Sequence, residues 1–181
     1  MASPTNVYNV VEERFPTELR FVFFSIGKRV VTKIIAYVNS HQFEGRDVYN
    51  LGFGDYDPTI NDVEDQAKTN NGDAYKVFNT VLSTVPLFFE MFPNAILMVQ
   101  GSDSSADFVE KCRTTCTKRC RSACRKFNQR VAVYRNFVEK HFAELCVSYW
   151  FLGGFIHAGY NLITERYIPG RKYDAILMFT K

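Results

Sequence analysis

Four equally spaced cysteines are the residues of this chain whose type could bind a metal or do redox chemistry. They are Cys112, Cys116, Cys120 and Cys124, each four residues from the next. Zinc needs all of its thiolate ligands at about 2.3 Å, whereas the first and last of these cysteines would lie about 18 Å apart on one helix. Zinc binding therefore requires a break near residues 114–117 or a second copy of the segment.

Two other interpretations of the cysteines stay open. Cysteine is a small apolar residue that can line a packing seam, and neighbouring basic side chains favour reactive thiolates where the sulfur reaches solvent. The chain has five cysteines, an odd number, and four-residue steps place them badly for pairing with each other, which predicts reduced thiols. We expect no cofactor, with zinc as the alternative.

A run of basic residues surrounds the cysteines, and no acidic residue stands between Glu110 and Glu139. The candidates for contact with nucleic acid or a partner protein are Lys111, Arg113, Lys118, Arg119, Arg121, Arg125 and Lys126. Such residues can follow a phosphate backbone by releasing counterions. Because the run has few aromatic residues, this binding would be electrostatic and independent of base sequence. A solvated helix face that meets an acidic partner is the other interpretation.

The spacing of these residues predicts one long helix over residues 104–145, since neither Gly nor Pro interrupts residues 102–152. Residues 114–117 are its weak point, and the spacing leaves open whether the helix is continuous or broken there. Forty helical residues would extend about 60 Å, so the helix must project from the body or fold back on it. A projecting helix would suit a homodimer along its cysteine stripe.

A second candidate site would bind an anion where a short apolar run ends and this helix begins. Backbone N–H groups at Gly101 and Ser102, with the charges of Arg130 and Arg135, would hold a phosphate or carboxylate. Asp55 or Asp57 would then supply acid–base chemistry or a metal ligand. This set predicts the alternative function, an enzyme or toxin acting on a phosphorylated or nucleotide substrate. The chain contains no Ser-His-Asp order, HExxH motif or Walker loop, which favours a protein without catalytic activity.

The rest of the chain predicts an α+β fold of one domain over residues 1–181, with a mainly antiparallel sheet and two main helices on one face, the second long, basic and cysteine-lined. Two strand-like runs join as a hairpin at Gly27 and Lys28, and residues 73–92 have helical spacing. The further strand-like runs are 47–53, 95–100, 147–156, 160–168 and 173–180. No apolar run reaches the length of a membrane span, and we expect a cytoplasmic protein without membrane contact.

Two motifs carry a resemblance to a known family: Leu51-Gly-Phe-Gly-Asp-Tyr-Asp57 and Asn70-Asn-Gly-Asp73. The chain is similar to a family of small uncharacterised bacterial proteins, found mostly in Bacteroidota, over residues 19–105 and 128–181. Residues 107–127 resemble an insertion relative to that family, and Ala132 replaces an arginine that the family has between Arg130 and Arg135. The resemblance implies no activity. It does imply a gene beside a second small gene, as in toxin–antitoxin or defence systems.

Together these observations predict a bacterial cytoplasmic binding protein, and the resemblance implies that it belongs to a toxin–antitoxin or defence pair. The basic helix, residues 108–135, would contact a partner protein or nucleic acid.

Overall fold

The computed structural model describes residues 6–57, 59, 62–64, 71–104, 106–115, 120, 124–157 and 161–181. Its contacts group into two compact units, Met1–Ala95 and Ile96–Lys181. Each unit combines antiparallel strands with helices, which confirms the predicted α+β class and mainly antiparallel sheet. The single domain over residues 1–181 stays a prediction. Among the helices described, none combines the length and the apolar composition that crossing a membrane requires.

In the first unit, four strands pair in the order β1-β2-β3-β4, and β5 pairs with the end of β4. The strands are β1 (Val11–Phe15), β2 (Glu18–Ile26), β3 (Val30–Phe43), β4 (Arg46–Asp57) and β5 (Asp62–Glu64). The predicted hairpin is confirmed, since Ile26 of β2 lies opposite Val30 of β3 in an antiparallel register. The sequence analysis did not predict β1.

Alternation along the strands decides which side chains meet helix α1 (Ala74–Met91). The buried side chains of β2 are Leu19, Phe21, Phe23 and Ser25. From β3, Tyr37 stacks on Phe88 of α1 with ring centroids 4.7 Å apart, and its hydroxyl lies 2.7 Å from Oγ1 of Thr84. The core of this unit is therefore a sheet face covered by one helix, and polar residues on that face are buried with it.

The second unit has four antiparallel strands in the order β6-β9-β7-β8. The strands are β6 (Ile96–Gln100), β7 (Tyr149–His157), β8 (Asn161–Arg166) and β9 (Ala175–Thr180), and the helices are α2 (Ala106–Thr115), α3 (Gln129–Lys140) and α4 (Phe142–Ser148). A short 3-10 helix, Ser102–Ser104, precedes α2. The strands predicted near residues 95–100, 147–156, 160–168 and 173–180 are confirmed.

Sequence spacing leaves open whether the helix over residues 104–145 is continuous, and the described residues show that it is broken. Helix α2 ends at Thr115, a turn covers residues 125–128, and α3 and α4 are separate helices that meet at His141. Asn128 adopts a left-handed backbone conformation with φ 57°, which interrupts helical hydrogen bonding and which asparagine tolerates better than most residues. The β-branched threonines near residue 115 are weak helix formers. Helix α2 thus ends at the predicted weak point, residues 114–117, whereas helical spacing did not reveal the interruption at Asn128.

The 3-10 helix and the turn before α3 meet in space. The backbone N–H of Asn128 donates a hydrogen bond to the carbonyl of Asp103 at 3.2 Å. The chain therefore leaves the 3-10 helix after residue 104 and is back beside it at residue 128. Residues 105, 116–119 and 121–123, between these two points, lie outside the described residues.

Candidate functional site

A partly buried polar network lies where the first unit's sheet meets the start of α1. Its side chains are those of Tyr8, Ser25, Lys33, Asp55, Asn71 and Asp73. Residues 71 and 73 belong to the second of the two resemblance motifs, and residue 55 to the first. Tertiary structure thus brings residues of both motifs into one network, which we call the motif network.

The pair at the centre of the motif network follows from strand register. Lys33 of β3 lies directly opposite Asp55 of β4, on the face that α1 covers, and the two side chains form an ion pair. Lys33 is 6% exposed and Asp55 is 8% exposed. Removing two charges from water is costly unless each keeps its counter-charge, so each of these two buried charges depends on the other.

The carboxylate of Asp73, the residue before α1, is the acceptor for both hydroxyl groups of the motif network. It accepts hydrogen bonds from Ser25 Oγ at 2.6 Å and from the Tyr8 hydroxyl at 2.8 Å. Burial by itself raises the pKa of Asp73, but these two hydrogen bonds and the positive charge of Lys33 outweigh it and hold the pKa below 3.8. Asp73 is therefore ionised at neutral pH and stabilised in that form.

Asn71 joins the network to the β2–β3 turn. Its Nδ2 donates to Ser25 Oγ and to the carbonyl of Arg29, each at 2.9 Å. A Cβ atom on Gly27 would lie 2.6 Å from Cβ of Asn71, so the turn can approach this side chain only because residue 27 is glycine.

Tyr8 connects the N-terminal segment to the motif network. Its ring stacks on Phe23 with centroids 5.5 Å apart, and the Lys76 ammonium lies 3.9 Å from the centre of the ring. Its backbone N–H donates to Thr80 Oγ1 at 2.9 Å. Burial and the hydrogen bond to Asp73 raise the pKa of the Tyr8 hydroxyl above 10.0, so Tyr8 acts as a neutral donor.

The motif network is suited to holding chain segments together rather than to a reaction. Ser25, its only serine hydroxyl, is 0% exposed and donates to a carboxylate that favours its ionised form. A nucleophile needs access to substrate and a base that accepts its proton. The sequence analysis missed Ser25 and Lys33, although both are polar residues at alternating, otherwise apolar strand positions, which is the signal that could have revealed them.

We expect the Asp73→Asn variant to lose about 1–2 kcal/mol of unfolding free energy at neutral pH, because hydrogen bonds to a charged acceptor are replaced by weaker ones. A depressed pKa contributes stability above the unfolded-state value of 3.8, and that contribution is lost as the pH falls through the folded-state pKa. Urea unfolding at several pH values should therefore show the two proteins converging in acid.

The Tyr8→Phe variant is the matched control for this prediction, since it keeps the stacked ring and removes one donor to Asp73. Its stability should depend on acid pH less than that of the wild type, but more than that of Asp73→Asn. A constant difference between wild type and Asp73→Asn across the acid range would contradict the role given to the carboxylate.

The acidic residues proposed for catalysis have other partners. Asp55 is ion-paired with Lys33, and Oδ1 of Asp57 accepts hydrogen bonds from the backbone N–H and the hydroxyl of Thr59, at 2.8 and 2.6 Å. The second arrangement is a side-chain-capped turn, a common use of aspartate in loops. The neighbouring residues 58, 60 and 61 lie outside the described part of the chain.

The predicted anion site has a different local structure from the one expected. Gly101 is buried, and its carbonyl accepts a hydrogen bond from the Ser104 N–H at 3.0 Å. It therefore opens a 3-10 helix of three residues, not the N-terminus of a long helix with aligned, free N–H groups. The side chains of Ser102 and Arg130 lie outside the described part of the structure.

Arg135, the remaining member of the anion set, faces a carboxylate. Its Nε lies 3.8 Å from Oε1 of Glu139, one helical turn away on α3. The same oxygen accepts hydrogen bonds from the Tyr167 hydroxyl at 3.3 Å and the Gly170 N–H at 2.8 Å. Burial, with the charge of Glu139, raises the pKa of Tyr167. This cluster joins α3 to the segment between β8 and β9.

The basic segment presents its described charges to solvent. On α2, Lys111 and Arg113 are exposed while Cys112 between them is buried. In the following turn Arg125 is exposed and Lys126 is half-buried. The other candidates, Lys118, Arg119 and Arg121, lie outside the described residues. A buried cysteine between two exposed basic residues is the pattern expected of an amphipathic helix.

The cysteines differ in exposure. Cys112 is buried, and Cys120 and Cys124 are half-buried. The backbone N–H of Arg125 donates to the sulfur of Cys120 at 3.3 Å. Cys116 lies outside the described part of the chain, and within that part no three His, Cys, Asp or Glu side chains are grouped so that they could hold a metal. Zinc binding stays a prediction.

The fold and the motif network define an antiparallel α+β protein in which the described polar residues of both motifs are buried or half-buried and bonded to partners in the first unit. A model of the DUF6934 family, a family of unknown function, matches residues 5–107. The match covers more than half of the 181 residues, and the chain belongs to this family. Every residue of the motif network falls within the matched part. The match ends at residue 107, where the predicted insertion begins. Comparison with curated proteins and with solved structures finds no match.

Proposed function

We propose that this protein is a binding protein without catalytic activity, which contacts nucleic acid or an acidic partner protein through its basic segment, residues 108–135. The observation that carries the proposal is the exposure of Lys111, Arg113 and Arg125, with Cys112 turned inward. Charges held in solvent on an anchored helix are free to meet phosphates or carboxylates.

A backbone hydrogen bond close to the exposed charges supports the proposal. The Asn128 N–H donates to the carbonyl of Asp103 and so ties the turn that contains Arg125 to the 3-10 helix that precedes α2. Basic side chains from these two neighbouring stretches can then release counterions from the same nucleic acid.

The alternative, an enzyme or toxin acting on a phosphorylated substrate, has less support. Of its six named residues, Arg135 faces Glu139, Asp55 is ion-paired with Lys33, and Asp57 caps a turn. Each of these charges has a partner within its own unit. The proposed setting is the bacterial cytoplasm, as one member of a toxin–antitoxin or defence pair, and it rests on the sequence resemblance.

The proposal predicts DNA binding that weakens steeply with salt. In fluorescence anisotropy with a labelled duplex, the variant Lys111→Gln/Arg113→Gln/Arg125→Gln should reduce the slope of log affinity against log salt by about 0.9 for each phosphate contact that is lost. Affinity at low salt should fall at least tenfold.

The matched control replaces three exposed lysines outside the segment, Lys28, Lys140 and Lys172, by glutamine. It has the same net charge as the test variant, so it should keep the wild-type slope if the segment is the contact surface. Undetectable binding of the wild type at low salt would remove nucleic acid as the partner. Equal losses in both triple variants would show that only net charge matters and would contradict the proposal.

A further inference from the structure

Strand β1 is an open edge. All five of its residues are exposed, and its backbone pairs with β2 on one side only. No other strand in the described part of the chain pairs with its second side. An open edge presents unpaired N–H and C=O groups, which natural proteins usually cover, shorten or protect with charge.

The edge also exposes apolar side chains. Val11 is 61% exposed and Phe15 is 47% exposed. Alternation places Val11, Glu13 and Phe15 on one face of β1, and Glu12 and Arg14 on the other. Glu12 and Arg14 already form an exposed ion pair within the strand, so both charges point to the same side of the sheet.

The sequence of β1 is complementary to itself in an antiparallel arrangement. When Val-Glu-Glu-Arg-Phe pairs with a second copy about Glu13, Val11 meets Phe15 of the second copy, and Glu12 meets Arg14 of the second copy. Two-fold symmetry repeats each contact, which gives two apolar pairs and two opposite-charge pairs. Cross-strand pairs of both kinds stabilise antiparallel sheets.

We propose that β1 pairs with β1 of a second copy of this chain and forms a two-fold symmetric dimer with a continuous sheet. The self-complementary charges select a second copy over an unrelated strand, because Glu12 and Arg14 exchange roles across the axis. This surface is independent of the basic segment and of the function proposed for it.

One position works against the pairing. Glu13 would face its own copy at the axis, and like charges directly opposite are destabilising. Arg20 of β2 lies opposite Glu13 in the register of the first unit and brings a positive charge next to it. Replacing Glu13 by threonine, a good strand former without charge, should therefore tighten the dimer.

A charge exchange tests the register. Glu12→Arg and Arg14→Glu each turn two attractive pairs into two repulsive ones, so each single variant should weaken dimerisation about tenfold. The double variant Glu12→Arg/Arg14→Glu restores opposite charges across the axis and should return to within about threefold of the wild type. Sedimentation velocity over a range of protein concentrations measures these dissociation constants.

The results that would overturn the proposal are distinct. The proposal fails if the wild type and the Glu13→Thr variant both stay monomeric at the highest concentration. It also fails if neither single variant weakens the dimer, or if the double variant dimerises no more tightly than the single variants. All three substituted positions are exposed except for main-chain pairing with β2, and circular dichroism checks that the variants fold. The basic-segment triple variant should dimerise as the wild type does.

Discussion

Replacing Lys33 by methionine is expected to lower the free energy of unfolding by about 3–5 kcal/mol, the usual cost of breaking a buried ion pair. Methionine fills much of the lysine volume but lacks the ammonium group. The carboxylate of Asp55 then stays buried without its ion-pair partner, and Asp73 loses a nearby positive charge. Urea denaturation followed by circular dichroism measures the loss.

Two further variants separate charge from packing. Asp55→Asn should cost less than Lys33→Met, because Lys33 keeps the nearby negative charge of Asp73. The double variant Lys33→Met/Asp55→Leu replaces the pair by apolar side chains and should recover at least half of the loss, since such replacements are often close to neutral. A loss below about 1 kcal/mol in Lys33→Met would show that the pair behaves like a solvated surface ion pair.

Alanine in place of Gly153 is the second substitution with a large expected effect. A Cβ atom there would lie 2.2 Å from Cε1 of Tyr173, a separation that non-bonded carbon atoms cannot adopt. The Tyr173 ring is 2% exposed, and its hydroxyl donates to Glu165 at 2.7 Å and accepts from the Ile168 N–H at 3.1 Å. Since these two hydrogen bonds hold the ring in place, we expect the free energy of unfolding to fall by about 3 kcal/mol, at the upper end of the cost for overpacked cores.

Gly52→Ala is the control, because it also adds a methyl group to a strand glycine. The nearest atom to its new Cβ, the carbonyl oxygen of Ala36, is 3.9 Å away, so the variant should unfold within a few degrees of the wild type. Thermal unfolding followed by circular dichroism measures both variants, since Gly52 lies in the first unit and Gly153 in the second. The fluorescence of Trp150, on β7, reports on the second unit. Equal melting temperatures for wild type and Gly153→Ala would show that Tyr173 can move aside.

Local patterns predicted most of the regular elements. The two apolar, β-branched runs around Gly27 fold as β2 and β3, and the helical spacing before Pro93 folds as α1. These elements are determined by side-chain periodicity and by turn residues that act over a few positions. The same approach did not predict β1, because Val-Glu-Glu-Arg-Phe has too few apolar residues for the pattern of a strand. This segment becomes a strand by pairing with β2.

The sequence patterns could not predict where helices end or which distant residues meet. The cysteine spacing is helical, yet the left-handed Asn128 and the separate α3 break the segment, because four-residue spacing describes a helix face and not where the helix stops. The motif network could not be predicted from sequence patterns either. Lys33 and Asp55 are 22 residues apart and meet through strand register, which depends on every pair along β3 and β4.

By itself the sequence determined the fold class, the positions of most strands and of α1, and the concentration of positive charge between residues 111 and 135. These depend on composition and short-range periodicity, which are properties of the chain before it folds. Only the tertiary structure decided that Asp73, Ser25 and Tyr8 share hydrogen bonds, that Gly101 begins a 3-10 helix, and that the edge of β1 is open. Each of those depends on which distant segments pack together, and burial and strand register settle that for the chain as a whole.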